Sequence, residues 1–285
     1  MAFDYDGTHD LETSLQDSFG EAILHGVVVS NLASFVAREM ALSEEQCHNL
    51  AIAGMLHDIG KLRLRSYVYE EKEAKLNIDE LRYVRLHPSL GYAILKEHGY
   101  TKEILTAVLY HHENADGTGP FRKKWEEIPL FARIIHLCDT IDIIGNTGGY
   151  DQKNWEQAKA YLVKYENTIF DAECVKAFLE VFSEEKFADM GGEELEKRLW
   201  EKVPRKKQFC DEGTCKDLAD FFAQIVDYKS EFTGMHSIGV AKKAAALAEH
   251  LGYDRLDIQK IYLAGALHDI GKMAVDNEIL EKPDK

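Results

Sequence analysis

Apolar side chains recur along the chain with the spacing of an α-helix. Within Leu24–Val36 they fall at every third or fourth position, interrupted only by Asn31, so they share one face of a helix that also carries His25. The segment Leu50–Leu56 is apolar or small on all sides, which predicts a central buried helix that ends at His57. No part of the chain has the pattern of a strand series, and the predicted fold class is all-α.

Further helices are expected on both sides of glycine-rich breaks. The predicted helices are Asp79–Leu95, Lys102–His112, Ile128–Ile144 and Cys174–Phe182, with a long helix ahead of His236. The segment Asp116–Pro120 is expected to be a loop, and Lys202–Cys215 has the proline, glycine and basic run of a linker.

A short motif occurs twice. His57–Lys61 and His268–Lys272 share the sequence His-Asp-Ile-Gly-Lys, and in each copy another histidine, His25 or His236, stands 32 residues upstream. One offset of 211 residues relates both pairs, which indicates a duplicated framework. We therefore expect a complete domain at residues 1–200, a linker at 201–215, and the incomplete N-terminal part of a second domain at 216–285.

The charge and the composition exclude several classes of protein. The 285 residues carry a net charge of -16, which argues against a nucleic-acid polymer as partner because such binding relies on Lys and Arg. A small phosphate ligand is still compatible, since bound cations would invert the local sign. Five cysteines without a CxxC motif predict a reducing cytoplasm. No apolar run is long enough for a membrane span, and the N-terminus Met1–Asp4 lacks the basic-then-apolar pattern of a signal peptide, so neither is expected.

Seven residues of the first copy have side chains that bind divalent transition metals. This number exceeds the needs of one ion, so two metals are expected, with Asp58 bridging them and the His111–His112 pair divided between them. Imidazole and carboxylate without thiolate favour iron or manganese, and zinc, nickel and magnesium are left open. The seven are His25, His57, Asp58, His87, His111, His112 and Asp139.

Two further residues have alternative interpretations. Glu21 stands one helical turn before His25, where it could hold a third metal, orient the histidine, or simply face solvent. Lys61 could direct its ammonium at a bound phosphate, or be an ordinary surface lysine. The remaining histidines are expected to be packed or surface residues: His9, His48, His98, His136 and His250.

These segments resemble the HD superfamily of metal-dependent phosphohydrolases and, more narrowly, the HD-GYP group of cyclic dinucleotide phosphodiesterases. The resemblance implies a helical HD bundle and metal ligation by the seven residues. Members of the family with a glutamate at the position of Glu21 are associated with trinuclear sites, so a third metal is implied as well. It also implies substrate binding by Lys61, Asp116 and Gly117, and catalytic roles for Asp58 and Lys61. The motifs that carry it are the two His-Asp pairs, His87-Pro88, His111-His112-Glu113, Asp116–Gly119, Cys138–Asp142 and Phe170–Phe178.

Two motifs depart from the HD-GYP pattern. The family's Gly-Tyr-Pro reads Gly119-Pro120-Phe121, and its Arg-Pro-Tyr is replaced by Gly148-Gly149-Tyr150. Metal ligation is expected to survive both changes. Recognition of phosphate is expected to weaken, because the lost arginine removes a bidentate contact.

The leading expectation is an enzyme in which a metal-bridged hydroxide hydrolyses a cyclic dinucleotide such as cyclic di-GMP. The alternatives are an HD phosphohydrolase for small nucleotides, a weakly active regulatory module that binds nucleotide or a diguanylate cyclase-type partner, and a redox di-iron protein. The unfinished apolar face of the second copy is expected to pack on the first domain or, by self-association, on another protomer. That copy, with His236, His268, Asp269 and Lys272, is expected to be non-functional alone.

Overall fold

The computed structural model describes residues 19–61, 80–191, 201, 212–228 and 236–275. These residues contain no β-strand, and the all-α prediction is confirmed. The helices are α1 (Phe19–Glu39), α2 (Glu44–Leu56), α3 (Glu80–Glu97), α4 (Lys102–Tyr110), α5 (Leu130–Gly148), α6 (Gln152–Lys164), α7 (Ala172–Val181), α8 (Glu184–Ala188), α9 (Glu212–Tyr228), α10 (His236–His250) and α11 (Arg255–Ala266). Short 3-10 turns occur at Trp125–Glu127, Asp189–Gly191 and Ile270–Ala274.

The chain divides into two compact units. Among the described residues, the first unit comprises 22–60, 80–191 and 201, and the second comprises 19–21, 61, 212–228 and 236–275. Most of the expected linker at 201–215 lies outside the described residues.

Helices α1 and α2 cross at very close range because small residues meet at the crossing. A Cβ on Gly26 would lie 2.5 Å from the carbonyl oxygen of Met55, and a Cβ on Gly54 would lie 3.2 Å from Ser30 Cα. The Ser30 hydroxyl donates to the carbonyl oxygen of Ala51 over 2.7 Å. This approach brings His25 of α1 next to the end of α2, where the His-Asp pair begins.

Helix α1 is more completely buried than α2, and the expectation that Leu50–Leu56 forms a helix buried on all sides was wrong in part. The segment Gly26–Ser34 is buried on every side, whereas Ile52, Met55 and Leu56 of α2 are only partly buried. Hydropathy alone does not distinguish the two helices, since both are apolar. Their neighbours in the fold decide which one is covered all round.

Several predicted helix ends differ from the structure, and α5 continues to Gly148, beyond the predicted end at Ile144. Two of the differences have local reasons. Ile128 is extended, with φ -84° and ψ 117°, because a residue before proline avoids the helical region, and α5 starts only after Pro129. Helix α4 ends at Tyr110, which leaves His111 as its C-cap and His112 beyond it.

The second unit has a small core of its own between α9, α10 and α11. A Cβ on Gly265 of α11 would lie 2.8 Å from Ala241 Cα of α10, so these helices also cross closely. The long helix expected ahead of His236 ends at Tyr228, and His236 is the first residue of α10. The core side chains are Ala219, Ala223, Ile238, Ala241, Tyr262 and Ala266.

Among the described helices, none combines the length and the hydropathy that a membrane span requires.

Candidate metal centre

Five helices of the first unit each bring one or two polar side chains to a common centre. His57 caps the C-terminus of α2 and Asp58 follows it, while His111 caps α4 and His112 follows it. The C-terminus of a helix can place two consecutive side chains at one site, because the chain turns there and both side chains can point inward. The contributions are His25 from α1, His57 and Asp58 from α2, His87 from α3, His111 and His112 from α4, and Asp139 from α5.

The two carboxylate oxygens of Asp58 face different histidines. Oδ2 lies 3.4 Å from His57 Nε2 and 3.6 Å from His25 Nε2. Oδ1 lies 3.2 Å from His87 Nε2 and 3.8 Å from His111 Nε2. Asp58 therefore stands between two groups of ligand atoms, which is the position that a carboxylate bridging two cations requires.

The group on the Oδ2 side contains a second carboxylate. Asp139 Oδ1 lies 3.2 Å from His25 Nε2 and 3.8 Å from His57 Nε2. The two Nε2 atoms are 3.2 Å apart. Three residues and one oxygen of Asp58 thus surround a small volume on this side.

The group on the Oδ1 side consists of three imidazoles. His87 Nε2 lies 3.3 Å from His111 Nε2 and 3.2 Å from His112 Nε2. With Asp58, these residues offer ligand atoms that all lie within 4.8 Å of one another. The expected division of His111 and His112 between two ions is not seen, since both stand with His87 in this group.

The protonation of the histidines tests whether a cation fits. His57 Nδ1 lies 2.7 Å from the carbonyl oxygen of Gly54, and His111 Nδ1 lies 2.6 Å from that of Val108. A carbonyl only accepts, so each Nδ1 carries the proton and, in a neutral ring, each Nε2 presents a lone pair to the centre. The lone pairs of His57 and His111 point at the Nε2 atoms of His25 and His87, which lie 3.2 and 3.3 Å away, and a cation in this space would accept those lone pairs. The residues present fit a metal.

The electrostatics of the two groups differ. Burial and the neighbouring imidazoles hold the pKa of His111 and of His112 well below the ordinary value, so both are neutral, as ligands must be. Burial also lowers the pKa of His25. The carboxylates of Asp139 and Asp142 outweigh this effect and raise the pKa to well above its usual range. Burial raises the pKa of Asp139, but the neighbouring imidazoles of His25 and His57 lower it to well below its usual range.

The loop after His112 is held in place by a buried carboxylate. Glu113 accepts hydrogen bonds from the backbone N–H groups of Phe121 and Lys123, both at 2.6 Å. Gly119 lies so close that a Cβ there would stand 2.6 Å from Glu113 Cα. Glu113 therefore closes the loop directly beside the second group of ligands.

Asp116 and Gly117 lie in this loop, outside the two groups. Asp116 is exposed, and its Oδ1 accepts from the backbone N–H and the hydroxyl of Thr118. Gly117 has φ +81°, a conformation that favours glycine. The loop is tied down by Asp116 N–H, which donates to the carbonyl oxygen of Thr168.

Two of the predicted site residues, Lys61 and Glu21, lie near the ends of the described range 19–61. Lys61 is half-buried and directly follows Gly60. Glu21 belongs to α1, one turn before His25, but its side chain lies outside the described residues.

Two polar residues near the centre carried no role in the sequence analysis. Asp142, fully buried, accepts a 2.5 Å hydrogen bond from His25 Nδ1. His136 Nδ1 donates to the carbonyl oxygen of His111 over 2.7 Å, which satisfies the C-cap of α4. The signal for Asp142 was its place three residues after Asp139 on an apolar helix, since a carboxylate there needs a partner.

The second copy assembles a smaller and more open group. His236, His268 and Asp269 have ligand atoms within 4.8 Å of one another. His268 Nε2 lies 3.3 Å from Asp269 Oδ2, which Lys272 Nζ also contacts at 2.8 Å. His236 and His268 are exposed here, whereas their counterparts His25 and His57 are partly and fully buried.

Comparison with protein families gives two matches. A model described as an HD domain matches residues 11–174, and a second HD domain model matches residues 233–285.

Several curated proteins are similar to the chain. The cyclic di-GMP phosphodiesterase response regulator RpfG of Xanthomonas campestris is 34% identical over 155 residues, which cover 53% of this chain and 41% of that protein. The 3'3'-cGAMP-specific phosphodiesterase 1 of Vibrio cholerae is 27% identical over 290 residues, which cover 94% of this chain and 63% of that protein. The chain thus spans less than two thirds of the length of these relatives.

A solved structure shares the fold. The crystal structure of the cyclic GMP-AMP specific phosphodiesterase V-cGAP3 of V. cholerae matches with a TM-score of 0.71 and 22% sequence identity. The match covers 96% of this chain and 72% of that one.

Proposed function

Because the chain belongs to the HD domain family, whose model matches residues 11–174, we propose that it is a metal-dependent phosphodiesterase that hydrolyses a cyclic dinucleotide. The observation that carries this proposal is the position of Asp58, with one oxygen toward His25 and His57 and the other toward His87 and His111. The names of the relatives from X. campestris and V. cholerae support cyclic di-GMP or 3'3'-cGAMP as the substrate class.

The proposed metal site has two halves that share Asp58. His25, His57 and Asp139 would hold one ion, and the three remaining histidines would hold the other. Iron or manganese suits this set of nitrogen and oxygen ligands, and Glu21 would add a third ion. When bound, such ions neutralise the phosphodiester oxygens and make a nearby water more acidic.

The chain's own residues would bind and orient the substrate. The oxygen of a water forms a bond to phosphorus, the bond from phosphorus to the 3'-oxygen breaks, and a proton ends on that oxygen. Lys61 would place a positive charge near the phosphate, and the loop with Asp116 and Gly117 would contact the nucleotide. Asp58 has a catalytic role in this scheme because it touches both halves of the site.

The domain organisation that accompanies this proposal is a complete HD domain at residues 1–200, a linker at 201–215, and part of a second HD domain from 216 onward. The first of these would carry the activity, since it supplies seven ligands, whereas the described part of the second supplies three. A cytoplasmic location, self-association and a diguanylate cyclase-type partner stay predictions.

The proposal is tested by incubating the metal-loaded protein with cyclic di-GMP, 3'3'-cGAMP and bis(p-nitrophenyl) phosphate, with product analysis by chromatography. We expect a linear dinucleotide from at least one cyclic substrate. Asp58→Ala and His111→Ala should lose both bound metal and activity. His250→Ala, which changes an exposed histidine at the end of α10, is the matched control and should keep both.

A regulatory module that binds nucleotide without turnover is the second candidate. It is favoured by Gly119-Pro120-Phe121 and by the absence of arginine at Gly148. Tight binding of a cyclic dinucleotide to fully metal-loaded protein, without any product, would support it and would refute the enzymatic proposal.

A further inference from the structure

A third carboxylate, Asp142, lies next to the candidate metal centre. Asp142 is fully buried on α5, one turn after Asp139. Oδ2 accepts from His25 Nδ1 at 2.5 Å, and Oδ1 accepts from the hydroxyl of Tyr150. Tyr150, Asp142 and His25 thus form a continuous chain of hydrogen bonds that ends at a candidate ligand.

The position of Tyr150 depends on the end of α5. Gly149 adopts φ +90°, and its N–H donates to the carbonyl oxygen of Gly145, so the chain turns back on the helix. The Tyr150 ring then occupies the space beside Gly145, where a Cβ would overlap it. The ring also packs against Phe187 of α8, with ring centroids 5.2 Å apart.

The hydroxyl of Tyr150 therefore reaches a buried carboxylate from a ring that packing already holds. A buried carboxylate must be paired, and each donor that it accepts from restricts its rotation. If Asp142 is restricted, the imidazole of His25 is restricted too, because their contact sets both the tautomer and the ring plane.

We propose that Tyr150 is a positioning residue that, through Asp142, aims His25 Nε2 at the cation held by His25, His57 and Asp139. This inference rests on the proposed metal-dependent function but concerns cation affinity, not hydrolysis. Through the same chain of hydrogen bonds, Tyr150 would indirectly affect the rate of hydrolysis.

The test is Tyr150→Phe, which keeps the ring beside Gly145 and against Phe187 and removes only the hydroxyl. Affinity for Mn²⁺ is measured by competition with a chromophoric chelator, and unfolding of the metal-free protein is followed in parallel. We expect affinity at one site to fall about 10- to 100-fold, the range typical of lost hydrogen bonds behind a metal ligand. The Tm of the metal-free protein should fall by a few degrees, because buried Asp142 loses one donor, but the variant should stay folded. The absorption spectrum of bound Co²⁺ should shift, because the orientation of one ligand changes.

Tyr161→Phe is the matched control. It removes another partly buried phenol of the same unit, one that packs on Tyr165 and Phe170, away from this chain of hydrogen bonds. It should leave Mn²⁺ affinity and the Co²⁺ spectrum unchanged. Asp142→Asn should weaken Mn²⁺ binding at least as much as Tyr150→Phe.

Equal Mn²⁺ affinity and an unchanged Co²⁺ spectrum in Tyr150→Phe would overturn the inference and leave the proposed function standing. A wild-type protein that binds Mn²⁺ tightly but hydrolyses no phosphodiester would refute the proposed function, while a weakened Tyr150→Phe would still support the inference.

Discussion

At the scale of single residues, the nitrogen that faces away from the site decides what each histidine can do. When Nδ1 donates to a backbone carbonyl three residues earlier, Nε2 is left as the ligand atom. The carbonyl is available because the histidine stands at the end of its helix, where the last carbonyl groups lack partners. The same contact joins His57 to Gly54, His111 to Val108 and His268 to Gly265.

Gly60 allows α3 to approach the His-Asp pair. A Cβ at this position would overlap the carbonyl oxygen of His87 and lie 2.6 Å from Gly91 N, and neither backbone atom can move without shifting α3. We expect Gly60→Ala to lower the free energy of unfolding by about 1–3 kcal/mol, as overpacking does, and to reduce bound metal. Denaturant unfolding and metal analysis measure the two effects.

The equivalent glycine of the second copy is the control for Gly60→Ala. Gly271 has no heavy atom of the described residues within 4 Å of a Cβ built on it. Gly271→Ala should therefore change the free energy of unfolding by less than about 0.5 kcal/mol. Equal losses in the two variants would contradict the steric explanation.

Asp171 is a structural carboxylate whose ionisation should stabilise the first unit. It accepts from Arg133 Nη1 at 2.6 Å and from Trp125 Nε1 at 2.8 Å, and it caps the N-terminus of α7. Burial raises the pKa of Asp171, but these hydrogen bonds lower it more, to below the ordinary value. A lowered pKa in the folded state means that the stabilisation is complete above the unfolded pKa of about 3.9 and disappears as the pH falls through the folded value.

The prediction is therefore that Asp171→Asn is less stable than the wild type at pH 7, and that the difference shrinks below about pH 4. Urea unfolding of both proteins in chelator, at a series of pH values, measures this. Glu97→Gln, which changes an exposed carboxylate of the same unit, should show no such convergence. A difference that stays constant down to pH 2 would refute the assignment.

At the scale of helices, the ends carry both the chemistry and the boundaries. Helix α2 starts with a capping box, in which Ser43 accepts from Gln46 N–H and the Gln46 side chain accepts from Ser43 N–H. Helix α4 has Thr101 as its N-cap, but the side chain of Thr101 makes no capping hydrogen bond. Both helices deliver histidines at their other ends, so their stabilities should affect the site only indirectly.

We expect Ser43→Ala to lower the free energy of unfolding by about 1 kcal/mol, because it removes an N-cap. Thr101→Ala, at the same helical position without a capping contact, should cost distinctly less. Urea unfolding measures both, and metal content should be the same in both variants. A larger loss for Thr101→Ala would show that capping is not the cause.

At the scale of the whole molecule, one motif is found in two settings. In the first unit, three other helices bring His87, His111, His112 and Asp139 around the His-Asp pair, and the group is largely buried. In the second unit, the only other candidate ligand beside the pair among the described residues is His236, which is exposed. Equal motifs should therefore have unequal metal affinity, since affinity grows with the number of ligands held in place.

This difference predicts how metal changes thermal stability. At a Mn²⁺ concentration 100-fold above the dissociation constant, binding stabilises a folded protein by about 2.7 kcal/mol. We expect Mn²⁺ to raise the Tm of the wild type and of His268→Ala, but not that of His57→Ala. For each variant, the Tm with Mn²⁺ is compared with the Tm of the same variant in chelator. A general loss of stability in either variant therefore cancels. If the rise in Tm with Mn²⁺ were lost to the same extent in both variants, the assignment of metal binding to the first unit would be contradicted.

The sequence by itself determined the helical class, the two copies of the motif and the seven residues of the candidate site, because helical periodicity and ligand chemistry are local properties of the chain. It did not determine which helix is buried all round, which histidines share a group, or the contacts of Asp142, Tyr150 and His136. Those depend on long-range packing, such as the crossing at Gly26 and Gly54 and the turn at Gly149. Spacing along a chain indicates which side chains can share a helix face, but only the packing of several helices decides which atoms meet.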